Sequence, residues 1–316
     1  MKTRTLGHTG IAVSEFGFGG ASLGNLYRAV DDSTAARAVA AAFEAGVRYY
    51  DTAPHYGLGL SEDRLGKALA GRRRDGFVLS TKVGRLLEPN PYPTGSDLAH
   101  GFAVADDLRR RFDFSADGAR RSLESSLRRL GLDRVDIVYV HDPDDHLDQA
   151  VNEAIPALVS WREQGIVGAI GVGMNDWRGP LRVVRETPVD VVMLAGRWTL
   201  LDRSGGPLLD ECAARGVSVV AAAPYNSGLL ARPRPAPDAT FNYTLAGAPM
   251  RQAATRLADT CERYGVPLPA AALQFPLRHP AVAAVVAGTR DAGQVHEAVE
   301  RLTTAVPEQL WQELDA

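Results

Sequence analysis

Ile137-Val138-Tyr139-Val140, then Leu147–Gln164, then Ala169-Ile170-Gly171-Val172-Gly173, then Trp177–Glu186, then Val191-Val192-Met193-Leu194: this stretch decides the fold. Short apolar, β-branched runs are separated by longer amphipathic segments of helical character. Near-continuous apolar strands mean parallel strands covered on both sides. Working outward, the same unit recurs. Strands are expected at Glu15–Gly19, Val47–Tyr50, Phe77–Thr81, Val217–Ala222 and Val282–Val286. Helices are expected at Ser33–Ala45, Ser61–Ala70, Ser115–Leu130, Pro207–Arg215, Pro249–Tyr264 and Ala292–Leu302. Asp32 or Ser33 is placed to cap the first helix, and Gly46, Gly131, Gly165 and Gly216 stand where helices should end. Eight βα units are the number at which such a sheet closes, so the expected fold is α/β, a (β/α)₈ TIM barrel with an N-terminal β-hairpin over Thr3–Ser14. The alternative, an open doubly wound sheet, calls for a G-x-G-x-x-G turn, and Phe16-Gly17-Phe18-Gly19-Gly20 lacks that spacing.

The chain of 316 residues reads as one barrel domain, 1–316. Apolar content of 45% and charged content of 23% are those of a globular protein with a large core. A net charge of −3 gives no electrostatic case for nucleic acid. The short runs Arg72-Arg73-Arg74 and Arg109-Arg110-Arg111 read as solvated loops or helix ends. Cys212 and Cys261 match no metal or redox spacing. Met1-Lys2-Thr3-Arg4-Thr5 has no apolar signal core and no apolar run reaches spanning length, so a cytoplasmic protein with no membrane partner is expected. The oligomeric state is not fixed by these features. Ala231–Pro249 resists assignment and reads either as a mobile loop over the site or as a surface insertion.

In a barrel, working groups sit at the C-terminal ends of strands. Three consecutive strands end in titratable side chains, Asp51, Lys82 and His141, and Tyr56 lies in the loop after Asp51. Singly, each has a structural reading as a turn cap, a solvated amine, a rim histidine or a packing tyrosine. Together they converge on one mouth and divide the labour of a proton transfer. A phenol with a pKa near 10 is a poor acid/base at neutral pH. An ammonium beside it stabilises the phenolate, a carboxylate keeps the ammonium charged, and an imidazole orients the reacting oxygen.

The run Tyr49-Tyr50-Asp51-Thr52-Ala53-Pro54-His55-Tyr56-Gly57, with Ser61-Glu62 and Leu65-Gly66 after it, resembles the aldo-keto reductase signature. Ser80-Thr81-Lys82-Val83-Gly84 and Val140-His141-Asp142-Pro143-Asp144 extend the resemblance along the whole chain. It implies an NAD(P)-dependent oxidoreductase with Tyr56, Lys82, Asp51 and His141 as the catalytic set. It also implies cofactor contacts at Asn175, Trp198, Asn226, Ser227, Gly228, Leu229, Gly288, Thr289, Arg290, Gln294 and Glu297, with Trp198 stacking on the nicotinamide. Met174 and Ala195 depart from the family pattern beside the carboxamide site. Gly288 and Gln294 stand where NADP users carry cations, so NAD is the expected coenzyme and NADP the alternative. The resemblance is nearest to members that oxidise an L-fucose-like or D-threo-configured aldose at C1 to its lactone, pyridoxal oxidation or reduction of small aldehydes being the alternatives. His55, Tyr27 and Trp177 are the candidates to line a small-molecule substrate pocket.

Two rival readings remain at this level. His141, Asp142, Asp144, Asp145 and His146 offer ligands for a metal-dependent hydrolase, but Glu15–Gly20 supplies no histidine from the first strand. A non-catalytic nucleotide-sensing subunit has the same fold, against which the complete set of four residues argues.

Overall fold

The computed structural model describes residues 1–315. Eight parallel strands close into a barrel in sequential order: β1 (Phe16–Gly19), β2 (Tyr49–Asp51), β3 (Val78–Val83), β4 (Ile137–His141), β5 (Ala169–Met174), β6 (Val191–Ala195), β7 (Ser218–Ala222) and β8 (Val282–Gly288). Every strand lies within two residues of its expected bounds. The hairpin Thr3–Thr5/Ala12–Ser14 plugs the bottom, with Leu6 and Val13 buried among the inward residues of the strands.

The two-residue period of the strands sorts their side chains. Tyr49, Ile137, Tyr139, Val191, Met193, Val220 and Val286 fill the interior. Tyr50, Leu79, Val138, Val140, Val192 and Val219 face the helices and form the larger core with them. Gly17 is accounted for here rather than by phosphate binding: a Cβ there would lie 2.7 Å from the Tyr49 ring, which occupies the space inside the barrel. Tyr49 in turn shares hydrogen bonds of 3.2 Å with Ser80 and with Tyr139, forming a polar layer beneath the mouth.

The helices follow expectation, with local differences. Asp31, not Asp32 or Ser33, caps the first helix (Asp32–Glu44) by accepting from the Thr34 amide. The segment Leu147–Gln164 contains a π-helical turn at Ala150–Ala154. Two helices outside the eight-unit pattern, Leu268–Gln274 and Glu308–Asp315, belong to a second apolar cluster outside the barrel. Among the described residues no helix is long and apolar enough to cross a membrane.

The largest departure lies between β3 and the helix Ala116–Leu130. Arg85–Pro89 and Leu108–Phe112 pair as an antiparallel hairpin, so Arg109-Arg110-Arg111 is a strand and not a solvated loop. The alternation of an edge ribbon explains the arginines. The Arg109 and Arg111 side chains are 53% and 38% exposed and pair with Glu88, whereas Arg110 points inward and is 5% exposed. Within Ala231–Pro249, a short ladder (Thr240–Phe241/Thr244–Leu245) folds back on the loop after β7, where the Thr240 hydroxyl donates to the Ser227 carbonyl.

Candidate active site

Inward-facing positions at the top of β2, β3 and β4 are Asp51, Lys82 and His141, brought level by the register Asp51↔Ser80 and Lys82↔Tyr139. Lys82 is 2% exposed and spends all three ammonium hydrogens on nearby acceptors: Asp51 Oδ2 at 2.6 Å, Asp51 Oδ1 at 2.8 Å and the Thr52 carbonyl at 2.9 Å. The Ser80 hydroxyl donates to Asp51 Oδ1 at 2.7 Å. This saturation is what makes a buried ion pair tolerable.

The loop after β2 is tied down on both sides. Ser61 Oγ bonds Thr52 Oγ1 at 2.8 Å and donates to the Gly20 carbonyl at 2.7 Å. Fully buried Glu62 accepts from Thr81 at 2.7 Å and from Arg129 at 2.6 Å. Gly24 and Gly57 let two backbones touch, since a Cβ on Gly24 would lie 2.5 Å from the Tyr56 carbonyl carbon. Tyr56 is held with its ring centroid 4.8 Å from Lys82 Nζ and edge-on to His141, at 6.0 Å and 87°.

The electrostatics differ from expectation in one respect. The Tyr56 phenol is pushed well above its usual range, first by burial and then by the Asp51 and Asp142 carboxylates, with Arg85 opposing. The Lys82 ammonium is instead paired with the Asp51 carboxylate. His141 is driven the other way and stays neutral, mainly through burial and then through Arg85 and Lys82. Its Nε2 lies 3.4 Å from Asp142 Oδ2, and its Nδ1 is buried without a partner. His55 is neutral as well, pushed down to about 2 by burial, Arg85 and Arg110. Arg110 donates to His55 Nδ1, so the ring hydrogen of His55 must sit on Nε2. Arg110 is in turn clamped by Asp97 through bonds of 2.7 and 2.6 Å.

Tyr56, Lys82 and His141 line a cavity of about 580 Å³ together with His55, Tyr27, Phe102, Asp142 and Asn175. It runs into a second cavity of about 400 Å³ through shared walls at Tyr27, Tyr56, Met193, Ala195, Ala222 and Tyr243. Ser227, Gly228, Gly288, Arg290 and Gln294 line that second groove. Asn226, Leu229 and Thr289 are buried behind it as support.

Three of the expected residues are not brought to this cleft. Trp198 packs on Phe275 and His279 at 5.5 and 5.4 Å, because the chain turns outward at Gly196 (φ 69°) after β6. The strand ends that do face the groove there carry Ala195 and Ala222. Trp177 packs against the helix-facing core with Arg178 over its ring, and Glu297 pairs with Arg301. Asp142, Phe102, Arg85 and Arg110 were missed as site residues. In the acidic run after His141, His146 stacks on Phe112 and tilts against Phe114, and no three ligand-type side chains among the described residues are placed to hold an ion.

The groove fits a dinucleotide. Ala223, Asn226 and Ser227 all have positive φ (54°, 47° and 59°), the kind of backbone in which amides form an anion-binding nest. Arg290 Nε and Thr289 Oγ1 are buried without partners. Both lie just before the N-terminus of the twelve-residue helix Ala292–Thr303, an end that favours phosphate.

A barrel with this mouth and this groove is the architecture of a nicotinamide-dependent oxidoreductase, and the chain belongs to the aldo/keto reductase family, whose model matches residues 15–316. Among individual relatives, it is 46% identical to a D-threo-aldose 1-dehydrogenase from a Pseudomonas species, over 96% of this chain and 94% of that protein. It is 36% identical to pyridoxal 4-dehydrogenase from Microbacterium luteolum, over 98% and 95% of the two chains. An aldo-keto reductase from Bacillus halodurans in its holo form superposes with a TM-score of 0.79 at 28% identity, covering 100% of this chain and 95% of that one.

Proposed function

We propose that the protein is an NAD-dependent aldose 1-dehydrogenase that oxidises an L-fucose-like or D-threo-configured aldose at C1 to its lactone. The observation that carries the oxidoreductase chemistry is the meeting of the Tyr56 phenol, the neutral His141 ring and the Lys82–Asp51 pair at the floor of a cavity continuous with the groove. The choice of an aldose is supported by the 46% identity to a protein of that activity.

When bound, NAD supplies the hydride acceptor. Ser227, Gly228, Gly288, Arg290 and Gln294 would hold its phosphates and adenosine, and Asn175 its carboxamide. Tyr56 takes the proton of the C1 hydroxyl, and the Nε2–H of His141 bonds the same oxygen as it becomes a carbonyl. A neutral His141 with its hydrogen on Nε2, the nitrogen beside the Asp142 carboxylate, offers a donor to the cavity without adding charge. The raised Tyr56 makes its base form scarce at neutral pH, so oxidation is expected to quicken as pH rises. Lys82 and Asp51 hold the ring in place and keep the local charge balanced.

Preference for NAD is supported by Gly288 and Gln294, both uncharged, and by the Asp291 carboxylate that caps the next helix. Arg290, whose pKa is lowered first by burial and then by the nearby Arg28, is the group available to a 2′-phosphate. Pyridoxal is the second reading, favoured by the aromatic lining of His55, Phe102 and Tyr27. The test is kcat/KM for L-fucose, D-arabinose, D-glucose and pyridoxal with each coenzyme. The sugars lead with NAD if the reading holds. Pyridoxal leading by orders of magnitude, or NADP preferred tenfold or more, overturns the corresponding half.

A further inference from the structure

Asp142 follows His141 at the end of β4 and forms part of the cavity wall beside it. Its backbone is fixed in an uncommon left-handed conformation, φ 42°, with its amide donating to the Gly173 carbonyl at 2.9 Å. The carboxylate is 18% exposed. Oδ2 accepts from Arg85 Nη2 at 2.6 Å and lies 3.4 Å from His141 Nε2. Among the described residues no protein group donates to Oδ1, and that oxygen is not fully buried. Burial raises the pKa of the acid while Arg85 pulls it down.

Arg85 is itself a fixed part. It begins the insertion hairpin immediately after Gly84, whose φ of 101° turns the chain across the barrel mouth, where a Cβ would meet the Phe114 ring at 2.2 Å. The guanidinium is buried and lies 5.3 Å from the Phe112 ring centroid. A carboxylate with one oxygen paired to Arg85 and the other without a protein donor has acceptor capacity left for a substrate hydroxyl. In the aldose reading above, His141 Nε2 is the atom that meets the reacting oxygen. Asp142 Oδ2 lies 3.4 Å from that nitrogen, so the carboxyl group as a whole sits beside the atom that faces C1.

We propose that Asp142, positioned by Arg85, accepts a hydrogen bond from the hydroxyl on C2 of the aldose whose C1 oxygen faces His141, and is the residue that makes the enzyme read that carbon. This rests on the aldose reading above. Three pentoses isolate the contact: D-arabinose, its C2 epimer D-ribose, and 2-deoxy-D-ribose, which lacks the hydroxyl. Wild-type enzyme is expected to lose about ten- to a hundredfold in kcat/KM from D-arabinose to the deoxy sugar, the scale of a hydrogen bond to a charged group. Asp142→Asn, which tolerates the left-handed backbone, also removes a carboxylate that acts on Tyr56 and so shifts the rate with all three sugars; what the assignment requires is that the preference for D-arabinose over the deoxy sugar collapses towards one. The double variant Arg85→Met/Asp142→Asn removes the stranded guanidinium and should show the same collapse of the ratios.

The ratio between substrates is the readout because a purely structural ion pair, or an effect on Tyr56, changes all three sugars together. A wild-type ratio preserved in both variants overturns the assignment while leaving the aldose reading intact. Failure of the wild-type enzyme to turn over any aldose overturns the aldose reading and this assignment with it.

Discussion

Gly24→Ala tests whether the position of Tyr56 is set by backbone contact. Gly24 ends a short helical turn after β1, and its φ is not in the left-handed range, so alanine adds no backbone strain. The new Cβ would lie 2.5 Å from the Tyr56 carbonyl carbon and 2.6 Å from its oxygen, where ordinary contact begins at 3.4 Å. Both partners are backbone, so no side chain can rotate away, and the Tyr56–Gly57 peptide must retreat by about 0.9 Å. Displacements near 1 Å at a reacting group cost on the order of 10²-fold in rate. Overpacking costs about 1–3 kcal/mol in stability, which for a chain of this length lowers Tm by roughly 2–5 °C. The assay is kcat under saturating aldose and NAD, with Tm and coenzyme affinity measured on the same preparation. Gly76→Ala is the control, since its Cβ would find only Arg73 Cβ at 4.0 Å. Adding Gly24→Ala to Tyr56→Phe should cost little further rate, because both act through one hydroxyl. A Gly24→Ala enzyme with wild-type kcat and Tm refutes the reasoning.

Tyr56→Phe keeps the ring against Phe102 and His141 and removes only the hydroxyl, so the variant should fold and bind coenzyme while losing about 10²–10⁴-fold in turnover; near-full activity ends the acid/base assignment. His55 and His141 are both held neutral in the fold, far below their ordinary pKa. The unfolded chain takes up a proton on each below about pH 6.5, so the stability they allow at pH 7 is lost as pH falls, by about 1.4 kcal/mol per pH unit for each group. Denaturant titrations between pH 7 and pH 5 should show that slope, and His55→Gln should remove about half of it.

The barrel was legible because its strands are the one feature that local chemistry writes directly into sequence. Buried on both faces, Ile137–Val140 and Val191–Leu194 must be apolar at every position. The same rule makes a polar residue at a strand end conspicuous, which is why Asp51, Lys82 and His141 stood out and why the period of two then brings them to one side. Trp198 failed for the converse reason. Trp198 was placed on the nicotinamide by the family resemblance alone, and nothing in Arg197-Trp198-Thr199 reveals that Gly196 adopts a positive φ and sends the chain outward. Gly24 and Gly57 were silent because each explains the other only once the fold places them together.

The insertion hairpin is the deeper case. An edge ribbon whose alternate positions are Arg109 and Arg111 shows no apolar period, so its pattern is that of a solvated segment even though Arg110 between them is buried. Its contributions to the cavity are contacts between residues far apart in sequence: Arg110 with His55, 55 positions away, and Arg85 with Asp142, 57 positions away. The barrel therefore delivers the groups suited to proton transfer from neighbouring strands, while the hairpin delivers Phe102 and the two arginines that fix a histidine tautomer and a carboxylate in the wall. Chemistry placed on strand ends can be read from one stretch of chain at a time. Recognition built from a loop laid across the mouth cannot, because each of its polar groups acquires meaning only from a partner that another segment supplies.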